Sequence, residues 1–338
     1  MSDISWLNQL AGLVSPAGVP APAASPSRFC CDLAQLQSHL IPPRMLAPAL
    51  PLSGDLHLHP GLLLTSGSEL PAEAGPREAV LDSFALPANI AWVPGIDGAL
   101  RPFWLHQPLA DRVANALAGG HPPRGLSPVT QIVLMRAGIL VDPAEHTLRR
   151  QSWIDAAARA GGILEERRYL PISRMLHPFH LAELRRYYRY LIRSGRIPLG
   201  DSQCSRRYGI HSEPAARFFH HQLGCVVGAF VGRKVKPSYV YAACYQEGAE
   251  LAKHTDREQC KFSLTLCLDY TPEPQLATPW PLHLESRSGR TTVFQALGDA
   301  LLYFGCEVPH YRTRLLPGHT STSIFFHYVE EDFSGELD

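Results

Sequence analysis

An α+β chain is predicted, with a mixed helical and hairpin N-terminal region and a C-terminal part built from short strands. Three observations lead there. The chain has 338 residues, and a single core rarely grows past roughly 250–300, so two domains, or one with a large extension, are expected. Between residues 107 and 226 apolar side chains recur mostly at helical spacing. From Pro237 the period changes to two, with turn residues between the runs, as in an all-β sandwich, barrel or jelly roll. The division is drawn at 1–165, a substrate-binding or scaffold region, and 166–338.

Composition narrows the function classes. The formal net charge is zero, so no global field attracts nucleic acid or an anionic membrane. No apolar run approaches the roughly 20 residues that span a bilayer. The acidic start of MSDISWLNQLAGLV has no basic n-region, so a cytoplasmic protein is expected. Eight cysteines include no C-x-x-C pair, which fits free thiols in a reducing compartment and no structural zinc.

The N-terminal elements follow from local signals. A short amphipathic start leads into a Pro/Ala/Ser-rich connector at 15–30. Asp55-Leu56-His57-Leu58-His59 puts two histidines on one side of a strand, but no third ligand is near in sequence, so a polar edge is expected. Asn89–Val93 and Ala99–Trp104 flank a hairpin loop. Gln107–Ala118 is a helix stopped by Gly119-Gly120, and Ser127-Pro128 caps a second, Val129–Ala137, before a short strand at Gly138–Val141. This stretch, 89–143, resembles the small winged-helix-like modules that bind leader peptides in ribosomal peptide biosynthesis; a plain helical scaffold is the alternative.

A helix from Pro178 to Ser194 has Leu181, Leu184, Tyr188 and Leu191 on one face and Arg185, Arg186, Arg189 and Arg193 largely on the other, solvated or paired with carboxylates. Ser212-Glu213-Pro214 opens a further helix in which His220 and His221 are read as polar helix residues. Strands are expected at Ser238–Tyr245, 262–269, Trp280–Glu285, Thr291–Gln295, Ala300–Gly305, Glu307–Leu315 and Thr320–Val329.

The chemistry centres on His254-Thr255-Asp256, just before the alternating strand at 262–269. Residues two apart on a strand point to one side, so an imidazole and a carboxylate can meet at one point. His310, on a late strand, is the candidate third ligand. Two histidines and a carboxylate on one face of a metal leave positions open, the arrangement of non-haem Fe(II) oxygenases; Mn, Co, Ni and Zn accept the same donors.

Residues 237–329 resemble the 2-oxoglutarate/Fe(II)-dependent dioxygenase superfamily, in the style of its prolyl-hydroxylase-like branch. The matching residues are Tyr245-Gln246-Glu247-Gly248, His254-Thr255-Asp256, Gly298-Asp299-Ala300-Leu301-Leu302-Tyr303-Phe304, His310 and Gly318. The resemblance implies a double-stranded β-helix (jelly roll) with flanking helices. It implies metal and catalytic roles for His254, Asp256 and His310. It also implies Fe(II), 2-oxoglutarate and O2 as cofactors, and hydroxylation of a C–H bond with succinate and CO2 as co-products. The retained Asp256 separates this chain from halogenating members, which lack that carboxylate.

One departure stands out. The family's cation for the 5-carboxylate of 2-oxoglutarate falls about ten residues after the distal histidine, where this chain has Thr320 preceded by His319. Arg312 and Arg314 share strand parity with His310 and are the candidate replacements. Tyr245 is a candidate hydroxyl donor to the same carboxylate, and Tyr241, on its face, a candidate lining residue. A peptide, protein side chain or natural-product intermediate is the expected substrate. A non-catalytic metal-binding β-barrel and a cupin-type oxygenase working without a ketoacid are the rival readings.

Overall fold

The computed structural model describes residues 28–338 except 36–37, 46–54, 68, 76–83, 85–88 and 288. The amphipathic start and nearly all of the connector lie outside the described residues. The chain divides into two compact units, 1–154 and 155–338. Among the described residues, no helix is long and apolar enough to cross a membrane.

In the first unit, β1 (His57–Leu58), β2 (Leu63–Thr65), β3 (Asn89–Pro94) and β4 (Leu100–Leu105) are followed by α1 (Gln107–Gly119), α2 (Pro128–Ala137) and β5 (Leu140–Val141). The strands form an antiparallel sheet in the order β2-β3-β4 and a separate β1–β5 pair. Both helix ends use the expected chemistry. Ser127 Oγ accepts from the Thr130 N–H at 3.1 Å, and Gly120 ends α1 in the left-handed region that its missing Cβ permits.

The division falls inside α3 (Pro143–Arg167), a 25-residue helix that sequence reasoning missed. Only Ala157 and Leu164 of its described residues are buried. A helix that buries so little carries hardly any 3.6-residue apolar period to detect.

The second unit contains β6 (Tyr169–Ile172), α4 (Pro178–Arg193), β7 (Arg207–His211) and α5 (Pro214–Val231). Eight strands follow: β8 (Val235–Tyr245), β9 (Leu251–His254), β10 (Phe262–Thr271), β11 (Leu282–Ser286), β12 (Gly289–Val293), β13 (Ala300–Tyr303), β14 (His310–Arg312) and β15 (Thr320–Glu330). They build two antiparallel sheets, β6-β13-β10-β15-β8-β7 and β12-β11-β14-β9. β15 is the spine of the larger sheet, hydrogen-bonded to β10 on one side and β8 on the other.

The strand β10 explains where the site sits. Phe262, Leu264, Leu266 and Leu268 make its expected apolar face. The alternate residues Ser263, Thr265 and Cys267 are buried too. A polar face removed from water needs partners: Ser263 finds Asp256, in the loop after β9, and His327 on β15, and Thr265 lies near the Tyr303 hydroxyl on β13.

The basic face of α4 pairs with carboxylates, one of its two expected outcomes, and Arg185 does so inside the core. It is fully buried, and its Nε donates to Asp269 Oδ1 on β10 at 2.9 Å, with a second ion pair to Glu273. Arg189 joins the same carboxylate. Burying a guanidinium is tolerable only against such a partner, and removing one partner typically costs about 3–5 kcal/mol. Glu213 is likewise buried, capping the Ala215 and Ala216 N–H groups of α5 and accepting from the Tyr187 and Tyr188 hydroxyls. His220 belongs to the core, bonded to the His327 carbonyl, with burial lowering its pKa to about 3.

Candidate metal centre

His254 is the last residue of β9 and His310 the first of β14, directly paired in the ladder between them. Cross-strand partners stand side by side, so their rings come to 4.3 Å between centroids. Asp256 lies two residues past the end of β9 rather than on a strand. Its place comes instead from its N–H, which donates to the Gly305 carbonyl at 2.9 Å. The two side chains therefore come together, as the i,i+2 argument expects, but through a different backbone.

The three side chains converge. His310 Nε2 lies 3.5 Å and His254 Nε2 3.7 Å from Asp256 Oδ1, and one donor atom from each falls within 4.8 Å of the others. His254 Nδ1 is bonded to the Ala252 carbonyl at 2.8 Å and His310 Nδ1 to the Val308 carbonyl at 3.0 Å. A carbonyl only accepts, so each Nδ1 carries the proton and each Nε2 presents a lone pair toward Asp256. Burial, the largest influence, draws the pKa of His310 below the ordinary histidine value; Asp256 opposes it.

A second layer holds the carboxylate. Ser263 Oγ donates to Asp256 Oδ2 at 2.6 Å and lies 3.0 Å from His327 Nδ1. Cys260 and His327 form with Asp256 a second set of metal-competent donors, but the hydroxyl of Ser263 already occupies that side of the carboxylate. Tyr303 stacks edge-on against His310 with its hydroxyl 3.4 Å from Nε2. Burial, then Asp256, hold that phenol well above its ordinary pKa, so it stays a neutral donor. Gly305 passes so close behind that a methyl group there would overlap Asp256 Oδ2, the Cys260 carbonyl and the Ser263 hydroxyl.

The two candidate arginines separate. Arg312 is 5 % exposed; its Nη1 donates to the Trp280 carbonyl at 2.6 Å, its Nη2 lies 3.5 Å from Gln295 Oε1, and its guanidinium lies over the Trp280 ring. It makes no ion pair among the described residues. Burial lowers its pKa, and the neighbours that oppose this are neutral phenols and a thiol: Tyr245, Cys267, Tyr303 and Tyr270. Arg314, past the end of β14, is exposed. Tyr245 is buried against Trp280, its hydroxyl accepting from Arg207 Nη1 at 3.2 Å. Tyr241 donates to Asp201. Thr320 opens β15, half-buried opposite Thr271. On β15 the Ser323 hydroxyl is buried with no hydrogen-bond partner among the described residues.

These observations bear on what the site can hold. Two Nε2 lone pairs and a carboxylate oxygen, each fixed from behind, fit a divalent first-row metal. A buried guanidinium without a counter-ion and an orphaned hydroxyl fit a small dicarboxylate.

Ser263, His327, Tyr303 and Gly305 had no assigned role in the sequence reading. The one available signal was the polar alternation Ser263-x-Thr265-x-Cys267 just after His254-Thr255-Asp256. His57 and His59 part company: His57 faces Asp55 at 3.3 Å, while His59 meets His146.

No protein-family profile and no curated protein sequence matches the chain. Several solved structures are similar to it. The non-haem α-ketoglutarate-dependent epimerase SnoN of nogalamycin biosynthesis is 14 % identical at TM-score 0.44, covering 52 % of this chain and 81 % of its own. A Trichoplax adhaerens prolyl hydroxylase, in complex with a hypoxia-inducible-factor peptide fragment, is 13 % identical at TM-score 0.46, covering 55 % and 94 %. HygX from Streptomyces hygroscopicus, with nickel, 2-oxoglutarate and hygromycin B bound, is 12 % identical at TM-score 0.41, covering 52 % and 88 %.

Proposed function

We propose that this chain is an Fe(II)- and 2-oxoglutarate-dependent dioxygenase that hydroxylates a C–H bond of a peptide, protein or natural-product substrate. One observation carries the reading: two imidazoles, each with Nδ1–H tied to the backbone carbonyl two residues before it, aim bare Nε2 atoms, together with one carboxylate, at a common point. His254, Asp256 and His310 would hold the ion. When bound, iron supplies oxygen activation coupled to oxidative decarboxylation of the ketoacid, so one oxygen atom enters the substrate alcohol and the other enters succinate, with CO2 released.

The chain's own residues divide the remaining work. Ser263 fixes the unused oxygen of Asp256. Tyr303 offers a neutral hydroxyl beside His310. Arg312 binds the far carboxylate of 2-oxoglutarate, in place of the cation missing at Thr320, with Tyr245 nearby. Burial strengthens that pairing, because water does not compete for either charge. The strand orders β13-β10-β15-β8 and β12-β11-β14-β9 support a double-stranded β-helix, in which chain-consecutive β8, β9 and β10, and again β13, β14 and β15, alternate between the sheets. Residues 1–165 belong to the same proposal as a substrate-binding or scaffold region.

The test is anaerobic addition of Fe(II) and 2-oxoglutarate. A visible iron-to-ketoacid charge-transfer band, followed by succinate formation in air, is expected. Iron binding without the band would replace this reading with an oxygenase that needs no ketoacid. Absence of both would leave a binding module.

A further inference from the structure

Arg314, expected in the interior, stands instead in a separate cleft of about 310 Å³ lined by Arg206, Glu247, Gly248, Leu316 and Pro317. We propose that this cleft is an accessory oxyanion site for a small molecule carrying a carboxylate or phosphate on a short apolar group.

Two guanidinium groups converge there. A Cβ built on Gly248 would lie 3.4 Å from Arg206 Nη1 and 3.4 Å from Arg314 Nη2. Both cations therefore face the space that the missing side chain leaves open. Gly248 has φ +75°, a conformation that other residues rarely adopt, so the opening is part of the backbone design. Among the described residues Arg206 makes one hydrogen bond, from Nη1 to the Glu247 carbonyl at 3.2 Å. Neither arginine forms an ion pair among the described residues, and the remaining donors of both forks have no protein acceptor there. Two like charges converging without a counter-ion repel, and an oxyanion between them removes that repulsion while accepting from both forks.

The surroundings define the ligand further. The floor is fixed by the Gly248 N–H to Leu315 carbonyl bond at 2.9 Å and the Leu315 N–H to Ala249 carbonyl bond at 2.7 Å. Glu247 is the one carboxylate in the lining. It accepts from the Gly318 N–H at 2.7 Å and pairs with neither arginine, so the three charged groups sum to a net positive charge. Leu316, 50 % exposed, and Pro317 provide the apolar side. The site is distinct from the metal centre. Along the β9–β14 ladder, the His254–His310 pair comes first, the Leu251–Arg312 pair next, and the Ala249–Leu315 contact beneath the cleft last.

Isothermal titration of the full chain with butyrate, butyl phosphate and inorganic phosphate tests the proposal. At least one should bind, and the tighter of the first two identifies the natural oxyanion. Arg206→Gln and Arg314→Gln should each weaken binding about tenfold or more, as expected for losing half of a charge-assisted clamp. Glu247→Gln should tighten it, and Arg312→Gln should leave it unchanged. Circular dichroism checks that each variant keeps its fold. The proposal is overturned if no probe binds below about 10 mM, weaker than ordinary small-ligand affinities, if the two arginine variants bind like the parent, or if Arg312→Gln removes binding.

Discussion

Each unit contains a pair of touching histidines, and the two pairs are built oppositely. In the first unit His59 and His146 approach at 4.6 Å between ring centroids, with their Nε2 atoms 3.1 Å apart. His59 Nδ1 accepts from the Gly61 N–H at 3.0 Å. That bond forces the proton onto Nε2, which donates to His146, so no lone pair is left for a metal between the rings. In the second unit the backbone offers carbonyls to Nδ1, and the lone pairs fall on Nε2. Which backbone group meets Nδ1 decides whether a histidine pair closes on itself or opens toward an ion.

The comparison breaks first on metal content. His254→Ala should abolish stoichiometric iron binding, an effect of more than about 100-fold on affinity, given that outer-layer changes alone cost 10–100-fold. His59→Ala should leave it unchanged. Metal analysis after dialysis measures both, and iron retained by the first variant would remove the centre from the second unit.

The next contrast lies between the two arginines. Arg312→Leu should raise the dissociation constant for 2-oxoglutarate about 100-fold, the scale of a lost bond between charged groups. Arg314→Leu, at the surface, should change it by less than about twofold. Equal effects would reassign the clamp.

Ser263→Ala removes the hydroxyl behind Asp256 and should weaken iron binding by roughly 10–100-fold without abolishing it. An unchanged affinity would mean that the carboxylate holds its place by the backbone alone.

The smallest effect concerns acid stability. Burial first, then His146 and Arg150, lower the pKa of His59 from 6.5 to about 4. The unfolded chain therefore binds this proton before the folded one does. The contribution to stability is complete above pH 6.5 and is lost as the pH falls toward about 4. In urea titrations across that window, His59→Gln should show a flatter decline than the parent. Parallel curves would mean that His59 is protonated in the folded state.

The site was more legible than its surroundings. The convergence of His254, Asp256 and His310 was legible because side chains of metal-donor type are few in kind and two of these sit at strand ends. Local chemistry also marked α1, α2, α4 and α5, where caps, prolines and glycines coincide with an apolar period. The helix α3 was illegible because its buried face is too narrow to leave a period. The four- and five-residue strands β6 and β7 gave no alternation long enough to distinguish them from loops. Arg185 pairs with a carboxylate as expected, but its burial was illegible because Asp269, its partner, is 84 residues away in the chain. The opposite fates of Arg312 and Arg314 depend on where β14 ends, which parity alone does not reveal.

Gly305 carries one last consequence. The wall behind Asp256 includes the Cys260 carbonyl as well as a side chain, so it has little room to yield. Any redesign that exchanges the carboxylate for a bulkier donor must grow toward the open side of the centre. A combinatorial library that varies position 256 while allowing substitutions at 305 would spend most of its members on chains that cannot assemble the cradle.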